Sequence, residues 1–221
     1  MGTTQERLVE AGKGLLVPGD LTIPEHPRGI VAFAHGSGSS RLSPRNREVA
    51  GALNSTGFAT LLFDLLTPGE ELARANVFDV ALLGRRLAAV TGWLRHQPET
   101  SELRLGYFGA STGAAAALIA AADLDLEVSA VVSRGGRPDL AAARLAEVRA
   151  PTLLIVGELD KQVLELNRKA QSRLRCANNL EVVAGATHLF EEPGALKTVA
   201  RLAGQWFSRH LAADVLAGVE I

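Results

Sequence analysis

The chain has 221 residues, of which 47% are hydrophobic and 21% charged, and its formal net charge is −1. These values are typical of one soluble globular domain, predicted here over residues 1–221, and they disfavour nucleic acid as a partner. A single cysteine, Cys176, excludes an internal disulfide and any multi-cysteine metal site, so we expect an inert structural thiol there.

The sequence contains no stretch that predicts export or membrane insertion. The first ten residues are polar, and the longest apolar runs are interrupted by Gly, Arg or Asp before they reach the length of a membrane span. We therefore expect a cytoplasmic protein with no membrane partner. As a separate expectation, the chain acts as a monomer or homodimer.

Short apolar runs alternate with helical patterns along the chain. The first 28 residues, with a turn signal at Val17-Pro18-Gly19-Asp20, predict an antiparallel hairpin at a sheet edge. Predicted strands follow at residues 29–35, 58–65, 103–110, 128–133, 151–157 and 179–184. Predicted helices lie near residues 45–56, 77–97, 113–122, 139–148, 163–175 and 194–213.

This alternation predicts an α/β fold with a mainly parallel, doubly wound sheet flanked by helices. Several runs are apolar at consecutive positions, which is typical of strands in a sheet covered on both faces. The longest connection, residues 66–76, is too short to form a cap domain.

A serine lies where such a sheet would place a nucleophile. The segment Gly109-Ala110-Ser111-Thr112-Gly113 ends a predicted strand and begins an alanine-rich helix, which is the context that a Gly-x-Ser-x-Gly nucleophile elbow requires. Glycines two residues either side of the serine let strand and helix approach closely, and the helix N-terminus favours developing negative charge. We predict that Ser111 is the nucleophile; the alternative is a structural turn.

The base must follow the nucleophile in the chain order of this architecture. Only His188 and His210 do so. His210 lies late in the last predicted helix, where a solvated surface imidazole is expected, whereas His188 follows the strand at residues 179–184. We predict His188 as the base that activates the serine, the alternative being a capping or exposed loop histidine.

The acid that holds the imidazole is expected at Asp160, just past the strand at residues 151–157. Glu158 is the nearest rival. Asp139 is a weaker one, because it fits equally well as the N-cap of the helix that follows it.

An oxyanion hole made of backbone N–H groups completes the predicted site. One donor is the amide of Thr112, the residue after the nucleophile. The other is expected from the loop His35-Gly36-Ser37-Gly38, where Ser37 is the preferred donor. The order and position of these features at four strand ends carry the hydrolase interpretation.

These segments resemble the dienelactone-hydrolase-related branch of the α/β-hydrolases, in particular its small bacterial serine hydrolases without a cap. The resemblance covers about residues 15–212 and includes Gly157-Glu158-Leu159-Asp160 and Gly185-Ala186-Thr187-His188-Leu189-Phe190. It implies cleavage of a small-molecule carboxylic ester, with no metal or organic cofactor. Dienelactone hydrolases proper carry a cysteine nucleophile, so serine at position 111 predicts a broader esterase.

Two basic loops follow predicted strands at the rim of the site. Arg41 and Arg45 follow the oxyanion loop, and Arg134 and Arg137 follow the strand at residues 128–133. We predict that Arg41 and Arg134 bind an anionic group of the substrate, because arginine forms directional bonds to carboxylate and phosphate. The alternative is that these are surface arginines paired with Glu48, Asp139 or solvent.

Other functions are compatible with parts of this pattern. The same triad would serve a thioesterase or an acyltransferase, since the first half-reaction is shared, and the same scaffold could belong to a nonhydrolytic binding protein. A nucleotide-binding Rossmann protein is disfavoured, because no Gly-x-Gly-x-x-Gly opens the first helix.

Overall fold

The computed structural model describes residues 2–211 and contains one eight-stranded sheet in the order β1-β2-β4-β3-β5-β6-β7-β8. Its first two strands are antiparallel to their neighbours, and the remaining pairs are parallel. The strands are β1 Thr3–Gly12, β2 Leu15–Ile23, β3 Ile30–Ala34, β4 Ala59–Phe63, β5 Leu105–Ala110, β6 Val128–Arg134, β7 Thr152–Gly157 and β8 Asn178–Val183. This arrangement confirms the predicted α/β-hydrolase fold, and no separate cap is evident in the described residues.

Helices cover both faces of the sheet. They are α1 Pro44–Ser55, α2 Pro68–Glu71, α3 Arg74–Phe78, α4 Val80–Arg95, α5 Thr112–Ala121, α6 Lys161–Gln171 and α7 Ala195–Leu211. One buried cluster joins the sheet to α4 and α5, and the other joins it to α1 and α7. The central strands β3, β4, β5 and β7 are buried along their whole length, which explains their consecutive apolar residues.

The predicted turn at Val17-Pro18-Gly19-Asp20 is wrong, because these residues lie inside β2. The hairpin turns instead at Lys13 and Gly14. Pro18 is paired with Leu8 on one side, and its carbonyl accepts from the Asp64 N–H at 3.2 Å on the other. Pairing with two neighbouring strands outweighs the local turn preference of the Pro-Gly-Asp sequence.

Two predicted helices differ in detail from the structure. The helix expected at residues 77–97 is interrupted at Asp79, whose carboxylate caps α4 by accepting from the Leu82 N–H at 2.9 Å. The segment Pro138–Glu147, expected as an α-helix, forms 3-10 turns with a kink at Ala142. The last helix is described to Leu211, so residues 212–213 of its predicted range lie outside the described residues.

The carboxyl ends of β3, β5, β6, β7 and β8 meet at one edge of the sheet, because these strands are parallel. The loops that carry the predicted nucleophile, acid, base and oxyanion donors all leave the sheet at this edge. In open α/β sheets, ligands bind beyond this edge of the strands.

Candidate active site

Ser111 lies in a strained turn between β5 and α5. Its φ of 51° and ψ of −119° place a residue other than glycine in a region that L-residues rarely adopt. A Cβ at Gly113 would lie 2.1 Å from the Ala34 carbonyl oxygen, and one at Gly109 would lie 2.5 Å from the Ala114 Cα. Both glycines are therefore required for the tight elbow.

Backbone hydrogen bonds fix this turn against the loop that follows β6. The Ser111 N–H donates to the Arg134 carbonyl at 3.2 Å, and the Arg137 N–H donates to the Ser111 carbonyl at 3.0 Å. The turn that holds the serine is thus supported by its neighbouring strand as well as by its own helix.

His188 and Asp160 are in direct contact. The imidazole Nδ1 lies 2.6 Å from Asp160 Oδ2, and the side chains are 39% and 15% exposed respectively. Asp160 immediately precedes α6, yet its carboxylate makes no capping bond to that helix and is available to the imidazole. With Nδ1–H held by the carboxylate, Nε2 is left to accept a proton.

The rival acids are engaged elsewhere. Glu158 accepts from the Gly185 N–H at 2.9 Å and so stabilises the turn after β8. Asp139 accepts two bonds from the Arg137 guanidinium, each at 2.8 Å, and the N-cap position of its segment is Arg137 rather than Asp139.

The other residues singled out by sequence lie away from this contact. His210 is half-buried and packs on Trp206, with ring centroids 4.6 Å apart, so it is not the solvated imidazole that was expected. Cys176 is half-buried near the Thr152 hydroxyl, and burial raises the pKa of its thiol, which disfavours the reactive thiolate.

Ser111 and His188 line one cavity of about 210 Å³. The rest of its wall comes from Gly36, Ser37, Ser39, Ser43, Arg45, Asn46, Ala110, Arg134 and Leu189. A larger groove of about 940 Å³ lies between α1 and α7, but none of the predicted site residues lines it. The smaller cavity is therefore the candidate active site.

The two predicted oxyanion donors are adjacent. The Ser37 N–H donates to the Thr112 hydroxyl at 2.9 Å, so this amide already has a partner in the structure. Thr112 is the first residue of α5, where a backbone N–H has no partner within the helix.

A buried histidine that the sequence analysis did not assign supports the oxyanion loop. His35 Nε2 accepts from the Leu65 N–H at 3.0 Å, which leaves the proton on Nδ1 to donate to the Gly36 carbonyl, also at 3.0 Å. Burial lowers the pKa of His35 and keeps the ring neutral. Its position at the end of a buried strand, directly before the glycine loop, is the signal that could have identified it.

Arg134 projects into the cavity from the end of β6 and is only 7% exposed. Within residues 2–211 it has no carboxylate partner: its Nη2 donates to Asn46 Oδ1 at 3.4 Å, and its guanidinium lies 5.9 Å from the Phe190 ring centroid. Burial, followed by the nearby charge of Arg45, lowers the pKa of Arg134 to about 10. The side chain is still cationic at neutral pH.

Arg41 does not lie where a substrate-binding residue would be, and this part of the prediction is corrected. Its guanidinium faces the carboxylates of Asp64 and Glu6, both at 3.1 Å, and of Asp20 at 3.6 Å. It is absent from the cavity wall, where Arg45 lies instead. Three acidic neighbours bind the Arg41 side chain away from the site.

Asn46 is a cavity residue that the sequence analysis missed. It is 2% exposed, although asparagine is usually exposed, and its side-chain oxygen faces Arg134. A polar residue one turn after the Ser43 cap of α1, at the active-site edge of the sheet, was the available signal.

Comparison with known proteins supports the hydrolase architecture. The model of the dienelactone hydrolase family matches residues 17–212. The chain is 53% identical to a dienelactone hydrolase from Anabaena variabilis, with a TM-score of 0.90, and the match covers 94% of this chain and 99% of that one. A carboxyl esterase from Tuber melanosporum, 19% identical with a TM-score of 0.71, shares the fold over 95% of this chain and 88% of its own.

Two curated relatives carry a different name. Proteins from two strains of Mycobacterium tuberculosis, provisionally named phosphoribosyl transferases, are 66% identical over 195 residues. The match covers 88% of this chain but 44% of theirs, so the chain spans less than half the length of these relatives. On the family model and on the cyanobacterial structure, this chain belongs to the dienelactone hydrolase family.

Proposed function

We propose that this protein is a serine hydrolase that cleaves small carboxylic esters through an acyl-enzyme formed on Ser111. The observation that carries the proposal is the 2.6 Å contact of His188 Nδ1 with Asp160 Oδ2, beside a cavity that Ser111 and His188 both line. A serine hydroxyl needs such an oriented base to become an effective nucleophile.

The proposed reaction has two half-reactions. Ser111 Oγ attacks the ester carbonyl as His188 Nε2 takes its proton, while Asp160 stabilises the imidazolium. The oxyanion accepts from the Thr112 amide and from the Ser37 amide, whose bond to the Thr112 hydroxyl it displaces. The alcohol then leaves with the proton from His188. Water, activated by the same histidine, cleaves the acyl-serine and releases the acid.

The size and charge of the cavity support a small substrate with an acidic group. A volume of about 210 Å³ is below the range of roughly 300–1,000 Å³ that is usual for ligand pockets. Arg134 is a buried cation with no carboxylate partner in the described residues, and a buried charge is costly unless it is paired. An anionic substituent on the ester would provide that pairing.

The proposal assigns hydrolase chemistry to the segment that this chain shares with its mycobacterial relatives, whatever the remainder of those longer proteins does. In the described part of the chain, no helix is both long and apolar enough to cross a membrane. We propose a small-molecule ester as the partner of this site and the cytoplasm as its location, with the chain acting as a monomer or homodimer.

A panel of 4-nitrophenyl esters tests the proposal. The parent protein should hydrolyse short esters, and Ser111→Ala should lose turnover by several orders of magnitude while keeping its circular dichroism spectrum and Tm. Retained turnover in a folded Ser111→Ala protein would exclude the mechanism. Release of acid without alcohol exchange separates hydrolysis from acyl transfer, and thioester analogues in the same panel test the thioesterase alternative.

A further inference from the structure

The cavity contains two arginines whose charges are balanced differently. Arg134 has no carboxylate partner among residues 2–211, whereas Arg45 Nη1 lies 2.9 Å from Glu191 Oε1. Both arginines line the cavity, and Asn46, which follows Arg45 in α1, accepts from Arg134 through its side-chain oxygen. One positive charge of the site is therefore neutralised by the protein and one is not.

The Arg45–Glu191 pair connects two elements that form the rim of the site. Arg45 is the second residue of α1, and Glu191 lies three residues after His188, so the ion pair joins α1 to the histidine loop. Its side chains are 33% and 62% exposed, and ion pairs exposed to this degree are weak. A ligand with enough negative charge can therefore take Arg45 away from Glu191, at a modest cost.

We propose that Glu191 is a specificity-determining residue that favours singly charged ligands at this site by occupying Arg45. A carboxylate needs only Arg134 as its counter-ion and leaves the ion pair of Arg45 with Glu191 intact. A doubly charged group such as a phosphate monoester requires both arginines and must break the bond between Arg45 and Glu191. The inference rests on the proposed function, because it takes the acid-binding part of the cavity as the substrate site.

The preference for singly charged ligands can be tested with two ligands of the same shape and different charge. Methyl sulfate carries one negative charge, and methyl phosphate carries nearly two at pH 8, because its second pKa is about 6. Their inhibition constants are measured against hydrolysis of a neutral short ester by the parent, Glu191→Gln, Arg45→Gln and the double variant. Calorimetric titration of the same two ligands gives binding constants that do not depend on turnover.

We expect Glu191→Gln to bind methyl phosphate at least about three-fold more tightly, with a clearly smaller change for methyl sulfate. In the Arg45→Gln background, the same Glu191→Gln substitution should change neither constant, since Glu191 acts through Arg45. Arg134→Gln should weaken both ligands in every background.

Three results would overturn the inference: equal shifts for the two ligands in Glu191→Gln, no shift for either, or a shift that persists in the Arg45→Gln background. Equal or persistent shifts would mean that Glu191 acts only through its general negative field. Failure of the proposed function is distinguishable, because a protein that hydrolyses no ester would still give calorimetric constants for both ligands.

Discussion

The backbone amide of Ser37 donates to the hydroxyl of Thr112 across 2.9 Å, and so connects the loop after β3 to the residue that follows Ser111. Thr112 is 4% exposed, so bulk water cannot easily replace its hydroxyl as the acceptor of the Ser37 N–H. The hydroxyl thereby holds the loop that carries Ser37 beside the first residue of α5.

Removing this hydroxyl should impair the chemical step. Thr112→Val keeps the shape of the side chain but removes the bond that holds the Ser37 loop beside α5, so we expect kcat to fall roughly tenfold or more with little change in KM. Thr112→Ser retains the hydroxyl and serves as the matched control, with kcat close to that of the parent. Faster turnover in Thr112→Val would show instead that the hydroxyl competes with the oxyanion for the Ser37 amide.

Arg134 and Arg41 should differ in their effect on specificity. The parent is expected to favour 4-nitrophenyl hemisuccinate over 4-nitrophenyl butyrate by about tenfold or more in kcat/KM, because a hydrogen bond to a charged group contributes about 1.5–3 kcal/mol. Arg134→Met should abolish this preference, and Arg41→Met should retain it. If neither substitution changes the ratio, Arg134 does not bind the substrate.

The same two substitutions should differ in their effect on stability. Arg134→Met removes a buried, unpaired charge, so the free energy of unfolding should stay level or rise by about 1 kcal/mol. Arg41→Met leaves Asp64 without its counter-ion, whereas Asp20 keeps Arg47 at 3.0 Å, and it should lower the free energy of unfolding by about 1–3 kcal/mol. Urea unfolding measures both values, and a large loss of stability in Arg134→Met would contradict the charge assignment.

His35 should make stability depend on pH below 6.5, the ordinary pKa of a histidine side chain. Burial lowers the pKa of the folded state, so between that lowered value and 6.5 the unfolded chain binds more protons than the folded one. The contribution is complete above pH 6.5 and is lost as the pH falls, by at most about 1.4 kcal/mol per pH unit. Urea unfolding from about pH 7 to about pH 5 should show a shallower loss for His35→Gln than for the parent.

The exposed His26 provides the control for this measurement. His26→Gln should retain the pH dependence of the parent, because the side chain lies on the surface between β2 and β3. Identical slopes for the parent and His35→Gln would mean that the His35 imidazole is not held neutral by the fold.

Alanine substitutions at two glycines distinguish the steric requirement of the turn at Ser111 from the general effect of glycine on helix stability. Gly113→Ala would place a methyl group 2.1 Å from the Ala34 carbonyl oxygen and should lower Tm strongly. Gly51→Ala, in the exposed middle of α1, meets no atom within 4 Å and should raise the free energy of unfolding by about 0.5–1 kcal/mol. Thermal unfolding of both variants checks the contrast, and a stable Gly113→Ala protein would contradict the close packing of the elbow.

Much of the fold could be predicted from the sequence because the buried strands carry their own signal. The strands β3, β4, β5 and β7 are apolar at consecutive positions, and all four lie within or close to their predicted ranges. The turn at Pro18 was wrong because its environment is set by pairing with β1 and β4, which no local pattern encodes. The 3-10 geometry around Ala142 likewise left no periodicity that distinguishes it from an α-helix.

The candidate site was predictable where a residue's role follows from its place at a strand end. His188 and Asp160 were selected in this way and are in contact in the structure. This argument could not distinguish the two arginines after β3, since Arg41 and Arg45 lie only four residues apart in the sequence. The positions of Glu6, Asp20 and Asp64, which depend on the sheet order, decide that Arg41 faces away from the cavity.

The most direct test of the account is covalent labelling by a fluorophosphonate probe, with the modified residue located by mass spectrometry. We expect a single label on Ser111, and labelling rates that fall by about a thousandfold or more in His188→Ala and Asp160→Asn but not in Glu158→Gln. An unlabelled Ser111, or a Ser111 that reacts as fast without His188 as with it, would contradict the claim that these residues form a catalytic triad.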